Sequence, residues 1–403
     1  MEKLRKISLA NWIFIGLLAG IVTGLIFIQN PDFTTKFIKP FGDLYLNLIR
    51  FIVAPIVLFS IIGGVISLKD VRKIGSIGSK SVIYYMSTTV IAIVIGLLVG
   101  TLFKGSFSAL ETSQLTFTVP ESPGMIDTII NMFPSNPVAP FLNAHMLQII
   151  VIALFIGLGI IHAGEKGKAT VVIVESLSEV FMNIMKFIIK LSPIGVFCLI
   201  TPVVAINGPG VLGSLSMVLI VAYIAYILHM VIVYFTLLKY LGKMSPLRFL
   251  KEMMPAMIFA FSSCSSLGTL PLNIKCCEKL GADKDVVGFT LPLGATINMD
   301  GTAIYQSVAA IFIASCFGLD LSLSQMGTIV ISTTLASIGT AGVPGSSMIM
   351  LAMVLESVGL PIAGIALVAG IDRLFDMGRT VLNITGDATC GVIVSKLEEK
   401  KLS

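Results

Sequence analysis

The sequence predicts an all-α polytopic membrane protein with eight transmembrane spans and two re-entrant helical hairpins. Three observations lead there. Of its 403 residues, 56% are hydrophobic and 12% charged, and mean hydropathy is +0.98; an ordinary soluble domain is about 25% charged. Apolar stretches of about 20 residues, the length a helix needs to cross a bilayer, recur along the whole chain. They are continuous rather than alternating, which excludes a transmembrane β-barrel. The basic residues collect in short loops between these stretches, as expected of a multi-pass protein.

Apolar runs punctuated by Gly, Pro and charge set the spans, good to several residues. Span 1 covers Ala10–Gln29; the run is long and lacks a convincing cleavage site, so it reads as a retained helix and not a signal peptide. Span 2 covers Phe41–Leu68 and span 3 Lys80–Phe103. A loop with broken helical pieces leads to span 4, Met146–His162. Span 5 runs Thr170–Ala205, span 6 Gly213–Leu241, span 7 Asp285–Phe317 and span 8 Pro361–Leu397. Lys3, Arg5 and Lys6 precede span 1, and Lys69, Arg72 and Lys73 follow span 2. Lys166 and Lys168 follow span 4, and Lys239, Lys243, Arg248 and Lys251 follow span 6. No Lys or Arg occurs from Gly105 to Glu165 or around Gly208–Gly210. Both termini are therefore expected on the cytoplasmic side.

Two segments depart from the simple pattern: Phe261–Pro271, FSSCSSLGTLP, and Ala336–Ser347, ASIGTAGVPGSS. Small residues at a tight helix crossing are one reading. The other is a pair of re-entrant hairpins whose tips leave backbone groups unpaired for a ligand. Each is followed by a helix carrying Asn and Asp. Such paired, Gly- and Pro-interrupted segments point to a site built on an inverted repeat.

The +5 net charge lies in inter-span loops and implies no nucleic-acid partner. Cys198, Cys264, Cys276, Cys277, Cys316 and Cys390 sit mostly in apolar segments, with neither a disulfide framework nor zinc spacing.

Between Lys284 and Arg373 there is no Lys or Arg, yet the apolar C-terminal third holds Asp300, Asp372, Asp376 and Asp387. An ionisable side chain mid-membrane costs about 2.5 kcal/mol or more, so such residues mark function by default. On span 8, Asp372, Asp376, Arg379, Thr380, Asn383 and Asp387 fall within an arc of roughly 100° over about 22 Å of helix. That stripe must face protein or water. It is either a structural network gluing helices or a site with surplus acid, where a cation comes and goes; buried ion pairs are poor stabilisers. Span 7 adds Asn298-Met299-Asp300-Gly301-Thr302. Gly294 and Gly301 flank this motif and would let the helix unwind, exposing carbonyl oxygens. Tyr85, Thr88 and Thr89 put hydroxyls on one face of span 3, although Thr often bonds back to its own helix.

The ordered motifs SSLGTLP, LPLGATINMDGTAIYQ, ASIGTAGVPG and DMGRTVLNITGD resemble those of the dicarboxylate/amino acid:cation symporter family, and the resemblance covers essentially the whole chain. It implies a homotrimer working as an elevator in the prokaryotic cytoplasmic membrane. Residues 1–75 and 105–206 would form a fixed scaffold, and residues 76–104 and 207–403 a transport domain sliding against it through the lipid. The implied activity is sodium-coupled symport of acidic amino acids, with no enzymatic step and several Na+ ions per cycle. Carried over by motif, Asp376 with Thr380 would bind the substrate α-amino group, and Ser266 and Asn383 its α-carboxylate. Arg379, near Thr302, would pair with the side-chain carboxylate. Ser265, Val343, Pro344 and Gly345 would line the same pocket. One sodium site would use Gly294, Asn298, Asn383 and Asp387. A second would lie between Thr296, Met299, Ser337, Ile338 and Thr340. A third would use Tyr85, Thr88, Thr89, Asn298 and Asp300.

The chain departs from that pattern in places. Cys264 stands where archaeal members carry an Arg, and either Arg373 replaces that charge or nothing does. Leu267 replaces a usual Ser, and Ser346-Ser347 stands where archaeal members have Ala or Gly. Gln306 occupies the place of a Glu that eukaryotic glutamate transporters link to proton and potassium coupling. Symport of C4-dicarboxylates or small neutral amino acids, with protons as a possible coupling ion, is the alternative within the family. An intramembrane aspartyl protease is excluded because Ile384-Thr385-Gly386 before Asp387 breaks the GxGD motif. A serine protease would need a His partner, but His145, His162 and His229 lie outside the Ser-rich segments. A passive channel is the remaining alternative.

Overall fold

Helices and their connecting turns make up the computed structural model, which describes residues 9–73, 75–107, 130, 133–143, 145–337, 346–369 and 371–402; among these there is no strand. We name the principal helices α1 (Leu9–Ile26), α2 (Lys39–Lys73), α3 (Ser76–Leu102), α4 (Met146–Ala163), α5 (Lys168–Lys190), α6 (Ser192–Asn207) and α7 (Gly210–His229). There follow α8 (Pro246–Ser263), α9 (Ser266–Lys279), α10 (Lys284–Ile297), α11 (Asp300–Cys316), α12 (Leu323–Ser337), α13 (Ser346–Ser357) and α14 (Asp372–Leu402). By length and composition, Ser76–Leu102, Gln148–Ile188 and Gly213–Tyr240 can each cross a membrane.

Small residues set the helix crossings. Gly16, Gly20 and Gly24 recur every fourth residue along one face of α1, and a Cβ at any of them would meet α6 at Pro193, at Phe197 and Ile200, or at Thr201 and Val204. Small residues at this spacing let two backbones approach closely where lipid supplies no hydrophobic drive. Gly96 and Gly100 of α3 pack the same way on Ile304, Ser307 and Ile311 of α11. Helix α2 lies against α4, α5 and α6, and its Tyr45 hydroxyl bonds Ser192 Oγ at 2.8 Å. Helix α14 is enclosed by α8, α9, α10, α11 and α7, and α11 is buried at every position but Ser315. A helix enclosed on all sides suits a polar stripe with no lipid-facing side.

Three spans differ from the sequence expectation. Span 5 is two helices, α5 and α6, because Pro193 occupies the first turn of α6; Pro has no N–H for the preceding turn and its ring clashes with that turn's carbonyl. Span 7 is likewise two helices. Asn298 (φ −96°, ψ 98°) and Met299 (φ −121°, ψ 41°) leave helical geometry between α10 and α11, the unwinding that the flanking glycines foretold. Span 8 starts later than Pro361: a short helix, Ile365–Ala369, precedes α14, which opens on Asp372. An acid in the first turn complements the positive end of the helix dipole.

The two small-residue segments each join a pair of helices that pack on one another, α8 with α9 and α12 with α13. At the first, Cys264 adopts the left-handed conformation (φ 53°, ψ 39°). Ser265 then caps α9, its Oγ accepting the Gly268 N–H at 3.0 Å, as expected of an N-cap serine. The tip of the second, residues 338–345, lies outside the described residues.

Candidate functional site

The stripe on α14 is buried along its whole length: Asp372, Asp376, Arg379, Thr380, Asn383 and Asp387 are each 6% exposed or less. Its upper half is an ion network. Arg379 donates from Nε to Asp376 Oδ1 at 2.9 Å and from Nη1 to Asp372 Oδ1 at 3.3 Å, and its guanidinium lies 5.1 Å from the Tyr305 ring centroid. Thr380 Oγ1 donates to the same Asp376 oxygen at 3.2 Å. Arg373 Nη1 approaches the other oxygen, Oδ2, at 3.8 Å. Its Nη2 donates at 3.4 Å to the carbonyls of Ser262 and Ser263 at the tip of the α8–α9 pair. A guanidinium thus stands beside Cys264 although that residue is uncharged. Ser347 Oγ donates to Asp372 Oδ1 at 3.3 Å, joining α13 to the same network.

The lower half has acid without a base. Asn298 Nδ2 donates to Asp387 Oδ1 at 2.9 Å and to the Asn383 carbonyl at 3.1 Å. Its Oδ1 is buried with no hydrogen-bond partner among the described residues. An unpaired buried acceptor costs about 1–3 kcal/mol, a cost that a bound cation removes. Asn383 Oδ1 accepts the Gly301 N–H at 2.7 Å, capping α11, while its Nδ2 faces the Met299 sulfur at 3.5 Å. Gly294 makes room for this cluster, since a Cβ there would meet Asp387 Oδ1 and the Tyr85 hydroxyl. Tyr85 itself donates to the Thr290 carbonyl at 2.8 Å. The break at Asn298 also leaves carbonyls in the last turn of α10 without intrahelical partners. Carboxylate, amide and carbonyl oxygens together suit a hard cation.

Asp300 is fully buried and satisfied on both oxygens. Thr89 donates to Oδ1 at 2.7 Å, and Tyr234 donates to Oδ2 at 2.7 Å. His229 Nε2 lies 3.2 Å from Oδ2. Sequence reasoning named neither His229 nor Tyr234 for the site, nor Tyr305. A signal existed for His229, an ionisable residue inside an apolar span.

Other residues singled out from the sequence are placed less tightly. Thr88 bonds back to the Tyr85 carbonyl at 3.2 Å, the ordinary behaviour of Thr in a helix. Thr296 and Ser337 likewise turn to their own helices, at Leu293 and Thr334. Thr302 faces the Met299 sulfur at 3.8 Å, while neighbouring Gly301 packs directly on the Arg379 backbone. Ser266 is buried and Leu267 is 42% exposed. Ile338, Thr340, Val343, Pro344 and Gly345 lie outside the described residues. Among the described residues no three His, Cys, Asp or Glu side chains gather as a transition-metal site would require.

Comparison with known proteins meets this geometry. The profile of the sodium:dicarboxylate symporter family matches residues 9–397. The chain is 37% identical over 404 residues to the proton/sodium-glutamate symport protein of Geobacillus stearothermophilus, covering 98% of this chain and 96% of that one. It is 33% identical over 411 residues to the proton/glutamate-aspartate symporter of Escherichia coli (98% and 94% covered). It is also 33% identical over 403 residues to the C4-dicarboxylate transport protein of Bacillus subtilis (98% and 94%). These relatives are transporters and not enzymes. With a buried ion network, a cation-deficient acid cluster and a match from end to end, the chain belongs to the sodium:dicarboxylate symporter family.

Proposed function

We propose that this protein is a sodium-coupled symporter of acidic amino acids, aspartate or glutamate. The observation that carries the reading is the Asp372–Arg379–Asp376 network. A zwitterion with a second carboxylate can replace the Arg379–Asp376 pair within it. The substrate side-chain carboxylate takes Arg379, and the ammonium takes Asp376 Oδ1, the oxygen that Arg379 and Thr380 release. Arg379 and Asp376 each exchange one ionic partner for another in a desolvated site, while Asp372 keeps the Ser347 hydroxyl. Ser266 and Asn383 then hold the α-carboxylate, and Thr302, Ser265 and Val343–Gly345 line the pocket.

The acids left over take sodium. Asp387 with Asn298, Asn383 and Gly294 forms one site, and Asp300 with Tyr85, Thr88, Thr89 and Asn298 another. Thr296, Met299, Ser337, Ile338 and Thr340 form a third. In this reading α8–α9 and α12–α13 are re-entrant hairpins, and the protein is a homotrimer in the cytoplasmic membrane with both termini inside. Residues 1–75 and 105–206 make the scaffold, and residues 76–104 and 207–403 the moving domain. The helix contacts support that division: α1 packs on α6 and α2 on α4, α5 and α6, whereas α14 packs on α8, α9, α10 and α11.

A second reading, C4-dicarboxylate symport, is favoured by Arg373, a second guanidinium 3.8 Å from Asp376. Uptake into proteoliposomes under imposed sodium, proton or potassium gradients separates the two. Competition by aspartate and glutamate but not succinate, dependent on the sodium gradient, is the expected result. Sodium-independent uptake would refute the coupling scheme.

A further inference from the structure

We propose that the π-helical turn Met230–Tyr234, which follows α7, is a positioning device for Asp300, presenting His229 and Tyr234 together to one oxygen of that carboxylate. The proposal rests on the reading that Asp300 binds sodium.

In a regular α-helix, residues five apart point about 140° away from one another. His229 and Tyr234 would then face different neighbours. Here the turn is one residue wider, with the Phe235 N–H bonded to the Met230 carbonyl, so the fifth residue stands over the first. As a result His229 Nε2 and the Tyr234 hydroxyl both reach Asp300 Oδ2, at 3.2 and 2.7 Å. Their rings meet edge to face with centroids 4.8 Å apart. Thr89, from α3, holds the other oxygen at 2.7 Å.

A carboxylate plane is not self-orienting, because its terminal torsion is broad and roughly two-fold. Two donors on one oxygen and a third on the other, from separate helices, fix that plane. All four side chains are fully buried, so water does not compete for these bonds. His229 Nδ1 has no partner among the described residues; within them, the ring's one polar contact is Asp300. A histidine kept in an apolar helix with one nitrogen unsatisfied serves that contact at a cost in stability. The π-turn has the same character, since such wide turns are rare and cluster at functional sites. Tyr234 also reaches toward the second acid: a Cβ at Gly386 would meet both the Tyr234 hydroxyl and Asn298 Nδ2. Only glycine at 386 lets the Asp300 and Asp387 clusters close on each other.

The test uses the full chain in proteoliposomes and tritiated aspartate. Sodium half-saturation is measured at saturating aspartate, and aspartate half-saturation at saturating sodium. Tyr234→Phe keeps the ring and its packing while removing the donor; His229→Gln keeps a donor of different reach. Each is expected to raise the sodium half-saturation about tenfold and to leave the aspartate value unchanged at saturating sodium. In an Asp300→Asn background neither should add a further shift. A shift that persists in that background marks a packing role and overturns the proposal. So does an unchanged sodium response in both variants while Asp300→Asn alters it. If Asp300→Asn leaves the sodium response intact, the sodium assignment of Asp300 is itself wrong, and the positioning role falls with it.

Discussion

Arg379 Nε lies 2.9 Å from Asp376 Oδ1, one helical turn earlier on the same buried face of α14. Each partner satisfies the other's charge, so a substrate that displaces the pair must itself carry both charges. Breaking a buried pair by removing one partner costs about 3–5 kcal/mol. Arg379→Cys is therefore expected to reduce aspartate affinity by at least about 100-fold and to admit serine or alanine. Asp376→Asn, in contrast, should weaken acidic and neutral amino acids alike, since all share the ammonium. Competition assays on the two variants check this: an Arg379→Cys carrier with unchanged preference for aspartate, or an Asp376→Asn carrier impaired only for acidic substrates, contradicts the assignment.

Gly294 faces Asp387 Oδ1 and the Tyr85 hydroxyl so closely that a methyl group has no room. Gly294→Ala should push Asp387 out of line with Asn298 and raise the sodium concentration needed for substrate binding by roughly 5- to 150-fold, as overpacking costs about 1–3 kcal/mol. Asp387→Asn, which keeps the shape and removes the charge, should shift the sodium requirement the same way. Binding titrations at fixed aspartate and varied sodium give the answer; an unshifted curve in both variants removes this cluster from the coupling scheme.

Gln306 is buried on α11, two turns beyond Asn298. Its amide cannot titrate, so it cannot take up a proton on one side of the membrane and release it on the other. The empty carrier is expected to return without potassium. Sodium-driven uptake should be the same with and without internal potassium at clamped membrane potential, and strong acceleration by potassium would argue against it.

Gly20 sits in the α1–α6 crossing, where a Cβ would strike Ile200 and the Phe197 carbonyl. Gly20→Leu should separate the two helices and cost about 1–3 kcal/mol. Its thermal unfolding in detergent should move down by several degrees, whereas a leucine at Gly63, which has open space around it, should leave the transition in place. Equal shifts for the two would mean that α1–α6 packing does not depend on this contact.

Much of this was legible in the order of residues. The apolar runs located the helices, and the three glycines of α1 at four-residue spacing carry the spacing of a close crossing. The offsets of Asp372, Asp376, Arg379, Thr380, Asn383 and Asp387 placed them on one face, because 3.6-residue periodicity is a local property of the backbone. The excess of acid over base between Asp300 and Asp387 is likewise composition. Even the break at Asn298 was signalled by Gly294 and Gly301. Other features became visible only in three dimensions. Nothing in Met230–Tyr234 announces a wide turn, because its residues are as apolar as those of the helix on either side; burial of His229 and Tyr234 against Asp300, 71 and 66 residues away, selects it. The orphaned Asn298 oxygen and the stacking of Arg379 on Tyr305 are also contacts between helices. Local pattern determines which face of a helix is polar. Which groups meet on that face depends on packing between segments distant in sequence, where unpaired buried charge is too costly to leave unmatched.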